Sequence, residues 1–227
     1  MFHRVFLAAL VAGVVAALFV TALQAVKLTP LIAAAEVYEA AADGGHDGEH
    51  GASEWQPARG LERTAYTLLA NAVIAIGFGL LLSAGFALRA IATGAETDAR
   101  QGLLWGLAGF ACFSLAPALG LPPELPGTAA AGLAARQAWW LGTAVSTALG
   151  IGLLVFARQP AWRVLGAMVI ALPHLLGAPQ APVESAGGVP ATLAADFVAA
   201  SLAIAALFWI VLGSLGGWVY AHLERRG

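Results

Sequence analysis

The sequence predicts an all-α fold: a polytopic integral membrane bundle of about six transmembrane helices. Three observations carry this. Of 227 residues, 60% are hydrophobic and only 11% are charged, with a mean hydropathy of +0.81. A water-soluble domain carries roughly a quarter charged residues because its surface must be solvated, so the solvent here is lipid. The apolar residues also gather into long runs, and about 20 residues at ~1.5 Å each cross ~30 Å of hydrocarbon. Finally, glycine (27) and tryptophan (7) are plentiful, as where helices approach closely and rings sit at interfaces.

The first run, residues 5–26, holds 22 residues without a charge. The preceding "MFHR" has the basic character of a signal-peptide start. Such apolar cores are usually about 7–15 residues long, and no good A-x-A site precedes Lys27, so a retained helix ended by Pro30 is expected. A long connection, residues 27–65, follows with an amphipathic piece at 31–42, the segment "DGGHDGEHG" at 43–51, and "SEWQPARGLERT", suited to lie along headgroups. Runs at 66–88, 102–119 and 139–157 predict the second to fourth helices. The third ends in the turn-forming "APALGLPPELPG". The fifth, residues 164–176, would reach only about 20 Å; it spans if the bilayer thins, or it is re-entrant and leaves five spans. The sixth, residues 193–220, crosses with tilt. The whole chain, 1–227, reads as a single membrane domain with 27–65 as its extracytoplasmic loop.

Orientation follows from Lys and Arg in the connections. With six spans and the N-terminus inside, Arg4, Arg89, Arg100, Arg158, Arg163, Arg225 and Arg226 lie inside, against Lys27, Arg59, Arg63 and Arg136 outside. Seven against four places both termini in the cytoplasm.

Several functions lack residues. Net charge is −2, which points to no nucleic acid. The single cysteine, Cys112, allows neither a disulfide framework nor a CxxC site. No GxxxxGK[ST], HExxH or GxSxG occurs, so the chain is not expected to be an enzyme. A b-type haem needs paired axial histidines, and only His3 with His222 offers a weak pair, so no organic cofactor is expected.

Metal-ligating residues are present. His46, Asp47, Glu49 and His50 crowd together on a backbone loosened by Gly44, Gly45, Gly48 and Gly51. Imidazole and carboxylate donors without thiolate suit cobalt, nickel or zinc and disfavour Cu(I). The same segment also reads as a solvated acidic linker. An ionisable group inside a bilayer usually faces a cavity or a partner, which singles out His174 in "ALPHLLGAP" and Asp196 in "ATLAADFVAASL". His174 alternatively bonds a carbonyl freed by Pro173, and Asp196 alternatively complements a helix N-terminus. Glu62, Arg63, Asn71, Gln24 and Thr21 are expected at a similar depth on the outer side, as support for an entry site. His3 and His222 sit at the inner end as a candidate exit.

The sequence resembles the CbtA family, the proposed cobalt transporter subunit. The likeness rests on "WQPARGLERTAYTLLANAVIAIGFGLLL", "LPHLLGAPQ" and "FVAASLAIAALFWIVLGSLGGWVY", its most specific blocks being residues 55–64 and 173–179. The resemblance implies a multi-pass bacterial inner-membrane protein for cobalt uptake, working with a small one-span His-bearing partner, CbtB. It places Glu62, Arg63, Asn71 and His174 in characteristic blocks without giving their roles. Beyond the bilayer and that partner, a homo-oligomer is left open. The functional expectation is divalent metal uptake by secondary or facilitated transport, cobalt foremost and nickel or zinc as alternatives, with the 43–51 loop as an accessory collector. The competing expectation is a membrane scaffold or assembly protein with a metal-sensing loop.

Overall fold

A computed structural model describes residues 2–43, 57–58, 60–126, 128–181 and 188–226, without the side chains of 39–43. Those residues form six helices and no strand: α1 (Phe2–Asp43), α2 (Leu61–Thr93), α3 (Ala99–Ala118), α4 (Leu133–Phe156), α5 (Pro160–Leu176) and α6 (Ala191–Arg225). All except α5 are long and apolar enough to cross a membrane. The all-α membrane bundle is therefore what the chain builds. Large apolar side chains such as Leu69, Val73, Leu149 and Met168 stand exposed, as they should where the surrounding medium is hydrocarbon.

One expected boundary is wrong. α1 does not end at Pro30 but runs through it to Asp43, so the amphipathic piece at 31–42 continues the first helix. A proline removes one backbone donor, and a nearby hydroxyl in a membrane helix can re-satisfy the freed turn. The carbonyl that Pro30 leaves without its partner is that of Val26; Thr29 Oγ1 donates nearby, to the Gln24 carbonyl at 3.3 Å. Pro30 does mark a change in packing: the chain divides into one compact unit of residues 1–30, 46–107 and 203–227, and a second of 31–45 and 108–202.

In the first unit α1 lies antiparallel to α2. A Cβ placed on Gly79 would sit 3.0 Å from the Ala9 carbonyl oxygen, and one on Gly13 would sit 2.9 Å from Ile76 Cα. The start of α1 meets the end of α6, where Arg4 pairs with Glu224 at 3.5 Å. α3 and α6 meet through two GxxxG segments, Gly102 with Gly106 and Gly213 with Gly217. A Cβ on Gly102 would overlap the Gly213 carbonyl and lie 2.8 Å from Gly217 Cα, while one on Gly106 would lie 3.1 Å from Gly213 Cα. The backbones touch because none of the four has a side chain. Phe86 joins this unit edge-on to Trp105 and Tyr220, at centroid distances of 5.8 and 5.9 Å.

Within that seam, numbering rises along α3 as it falls along α6, so the two helices run antiparallel. At 17 residues, α5 is about 25 Å long, shorter than the five helices that are long enough to cross a membrane.

The second unit contains the end of α3, α4, α5 and the start of α6. Pro117 has no N–H, and its ring would strike the carbonyl of Phe113. The helix answers by widening into a π-turn over Ala111–Leu115, a device found where a helix admits an irregularity. Phe113 on this turn faces Trp140 of α4, with centroids 6.1 Å apart.

Candidate functional site

The site in the second unit grows from one face of α4. Arg136, Trp139, Thr143, Thr147 and Gly150 recur at three- and four-residue steps, so they share a stripe. Its inner end is fixed by glycine: a Cβ on Gly150 would meet the Gly166 carbonyl oxygen at 2.6 Å, and one on Gly166 would meet the Gly150 oxygen at 2.8 Å. α4 and α5 are in backbone contact there. At the other end the Trp139 indole stands edge-on to the His174 imidazole, 5.9 Å between centroids and 73° between planes. The seam thus runs from glycine to tryptophan, with two threonines between.

Thr143 and Thr147 are 0% and 3% exposed, and neither hydroxyl has a hydrogen-bond partner. Trp139 Nε1 and His174 Nε2 are likewise buried and unpartnered. Pro173, buried beside His174, has no N–H for the carbonyl one turn back. An unmade hydrogen bond on a buried polar group costs about 1–3 kcal/mol, so four in one seam call for a polar occupant. Indole N–H can only donate, a hydroxyl does both, and imidazole Nε2 does either according to its tautomer.

Around this corner the connection from α3 closes in. A Cβ on Gly120 would overlap the Trp139 indole and lie 2.9 Å from Ala178 Cβ. Four residues on, Glu124 pairs with Arg136 at 2.6 Å, and both side chains remain about a third exposed. Gly177, at φ +84°, ends α5 in a conformation that side chains avoid.

The first unit holds a different polar group. Asn71 Nδ2 donates to Thr21 Oγ1 at 2.9 Å and to Gln24 Oε1 at 2.7 Å. Gln24, Thr21 and Asn71 do therefore meet, as a hydrogen-bonded clamp between α1 and α2. Glu62 is exposed in the first turn of α2, and Arg63 is half-buried beside it, its amide bonded to the Ala58 carbonyl at 3.1 Å. Asp196 is exposed near the start of α6. His3 is exposed at the start of α1, and His222 stacks on Trp218 at 5.5 Å and 11°; the Arg4–Glu224 pair joins the two helix ends that carry them. His46, Asp47, Glu49 and His50 lie outside the described residues. Among the described residues no three His, Cys, Asp or Glu gather into a metal-holding group.

Trp139, Thr143, Thr147, Glu124 and Arg136 were not singled out by the sequence reading. The threonines sit inside "WWLGTAVSTALG", where only their four-residue step distinguishes them. That step becomes informative once α5 is known to cover the face.

The profile of the family described as "probable cobalt transporter subunit (CbtA)" matches residues 2–221. The chain belongs to the CbtA family. No curated protein and no solved structure matches it. The match takes in nearly all of α1 to α6, so the α4–α5 seam and the Asn71 clamp both lie within the family's extent. The family's description is that of a probable cobalt transporter subunit, and the helices make the chain a multi-pass membrane protein.

Proposed function

We propose that this CbtA chain passes a divalent cation, cobalt foremost, across the bacterial inner membrane by secondary or facilitated transport, and that the ion enters at the His174 corner. The observation that carries this reading is the row of buried, unpartnered polar atoms on the α4–α5 seam ending at His174 Nε2. A borderline dication accepts imidazole nitrogen and neutral oxygen, and a neutral hydroxyl-lined path lets it keep part of its water. With both termini cytoplasmic, as the arginine bias supports, this corner faces outward. The 43–51 segment would then collect ions on the outer side of the membrane, and His3 and His222, at the chain's cytoplasmic ends in this topology, would serve the exit. N/O sites generally bind nickel, copper and zinc as tightly as cobalt, so selectivity falls to geometry or to a CbtB-like partner.

The test is uptake of radiolabelled Co²⁺ into vesicles holding the purified chain. His174→Ala should lower initial uptake about tenfold or more, the scale of losing a metal-site group, while Asp196→Asn should leave it near wild type. Equal uptake by His174→Ala at equal protein would sink the entry site. A second reading, the non-transporting scaffold, draws on the absence of a three-ligand cluster among the described residues. It predicts no uptake by the chain alone and none on adding a small His-bearing one-span protein.

A further inference from the structure

We propose that Glu124 is a second metal ligand at the His174 corner, and that Arg136 is the resident counter-ion a divalent cation displaces from it. This rests on the transport reading of that corner.

The argument begins with placement. Gly120 abuts the Trp139 indole on one side and Ala178 on the other, and His174 stands against the same indole. Glu124 is four residues along the chain from Gly120, and its pairing with Arg136, three residues before Trp139, ties its carboxylate to the head of the stripe. The imidazole stands against the Trp139 ring, and the carboxylate is held by the stripe residue one turn before that ring. Together with hydroxyl or water oxygens they form the mixed N/O set that cobalt accepts.

Arg136 has an unusual position for a structural partner. Its Nη2 holds Glu124, yet its Nε is buried without an acceptor. The guanidinium is thus only partly satisfied, with one of its five donors buried and unpaired. An ion pair left about a third exposed contributes little net stability, so a doubly charged ion can take the carboxylate without unfolding the corner. A fixed positive charge at the mouth of a cation path would repel the cargo; neutralised by Glu124, it instead holds the ligand ready and keeps the mouth neutral when empty. Arg136 then swings toward the exposed side as the ion arrives.

The experiment uses the full chain carrying His46→Ala and His50→Ala, so that the 43–51 segment contributes no imidazole. Equilibrium Co²⁺ binding and Co²⁺ uptake into vesicles are measured for Glu124→Gln, Arg136→Gln, Arg136→Lys and His174→Ala, with thermal unfolding to confirm folding. The expected result is opposite signs: Glu124→Gln weakens Co²⁺ binding about tenfold or more, whereas Arg136→Gln, which frees the carboxylate from its competitor, tightens it several-fold. Arg136→Lys should stay near wild type. A structural ion pair would make both Gln variants lose stability and binding together, and that outcome overturns the proposal. So does unchanged binding in both Gln variants while His174→Ala is impaired. If His174→Ala itself binds Co²⁺ like its parent, the underlying reading of the corner fails instead.

Discussion

The two units treat polar groups in opposite ways. In the first, the helices meet backbone to backbone through Gly102, Gly106, Gly213 and Gly217, and Asn71 spends both its amide protons on Thr21 and Gln24. Its unpartnered buried hydroxyls, Ser83 and Thr97, are scattered singly. In the second, α4 and α5 are in backbone contact at Gly150 and Gly166, and the seam runs on past Thr147, Thr143, Trp139 and His174, none of them paired at its buried polar atom. Hydrocarbon offers no substitute hydrogen bonds. An aligned row of unmet ones is therefore what the proposed passage draws on, and the closed seam marks where the helices hold their shape.

The largest expected effect breaks the closed seam. Gly213→Leu places a side chain where a Cβ alone would already lie 2.7 Å from Gly106 Cα and overlap the Gly102 carbonyl. Two rigid backbones cannot give way as a flexible side chain does, so the loss should be about 3 kcal/mol or more. Reduced yield of monodisperse protein and an earlier thermal transition in detergent would show it. Wild-type stability would mean that the α3–α6 seam is not closed.

Next comes the open seam. Thr143→Val and Thr147→Val keep the shape and delete an unpaired hydroxyl. Removing a buried polar group that has no partner should raise stability by up to about 1 kcal/mol each, while Co²⁺ uptake falls. A gain in stability with uptake unchanged would show that the hydroxyls are tolerated rather than used. Function that moves against stability is the signature of a working site.

The fold was legible because the length and apolarity of each run translate directly into a crossing helix. Pro30 misled because a proline was read as a stop, whereas membrane helices tolerate proline and α1 runs on to Asp43. The 102–106 and 213–217 glycine pairs were visible as letters, but only their mutual contact shows them to be one seam. Of the candidate site, His174 was legible as an imidazole within an apolar run, and Gln24, Thr21 and Asn71 as polar groups at one depth. Glu124 was not, because a carboxylate in a proline-rich turn looks like any solvated charge until Arg136 and the Trp139 indole are placed around it. Asp196 had two readings in the sequence, a cavity-facing group or an acid at a helix start, and it stands exposed near the start of α6.

The smallest effect separates two glycines of one helix. Gly142 has nothing within 4 Å of where a Cβ would stand, while a Cβ at Gly150 meets the Gly166 oxygen at 2.6 Å. The two are eight residues apart, so at 100° per residue they look about 80° apart around α4, one toward open space and one onto α5. Gly142→Ala should therefore stabilise the helix by about 0.5–1 kcal/mol through the lost freedom of the unfolded chain, with Co²⁺ uptake unchanged. Gly150→Ala should push α5 away and lower both stability and uptake. Thermal unfolding and uptake measured on the pair would show whether the α4 face, rather than the α4 sequence, decides what a methyl group does. Equal behaviour of the two variants would erase the boundary between the closed end of the seam and the open side of the helix.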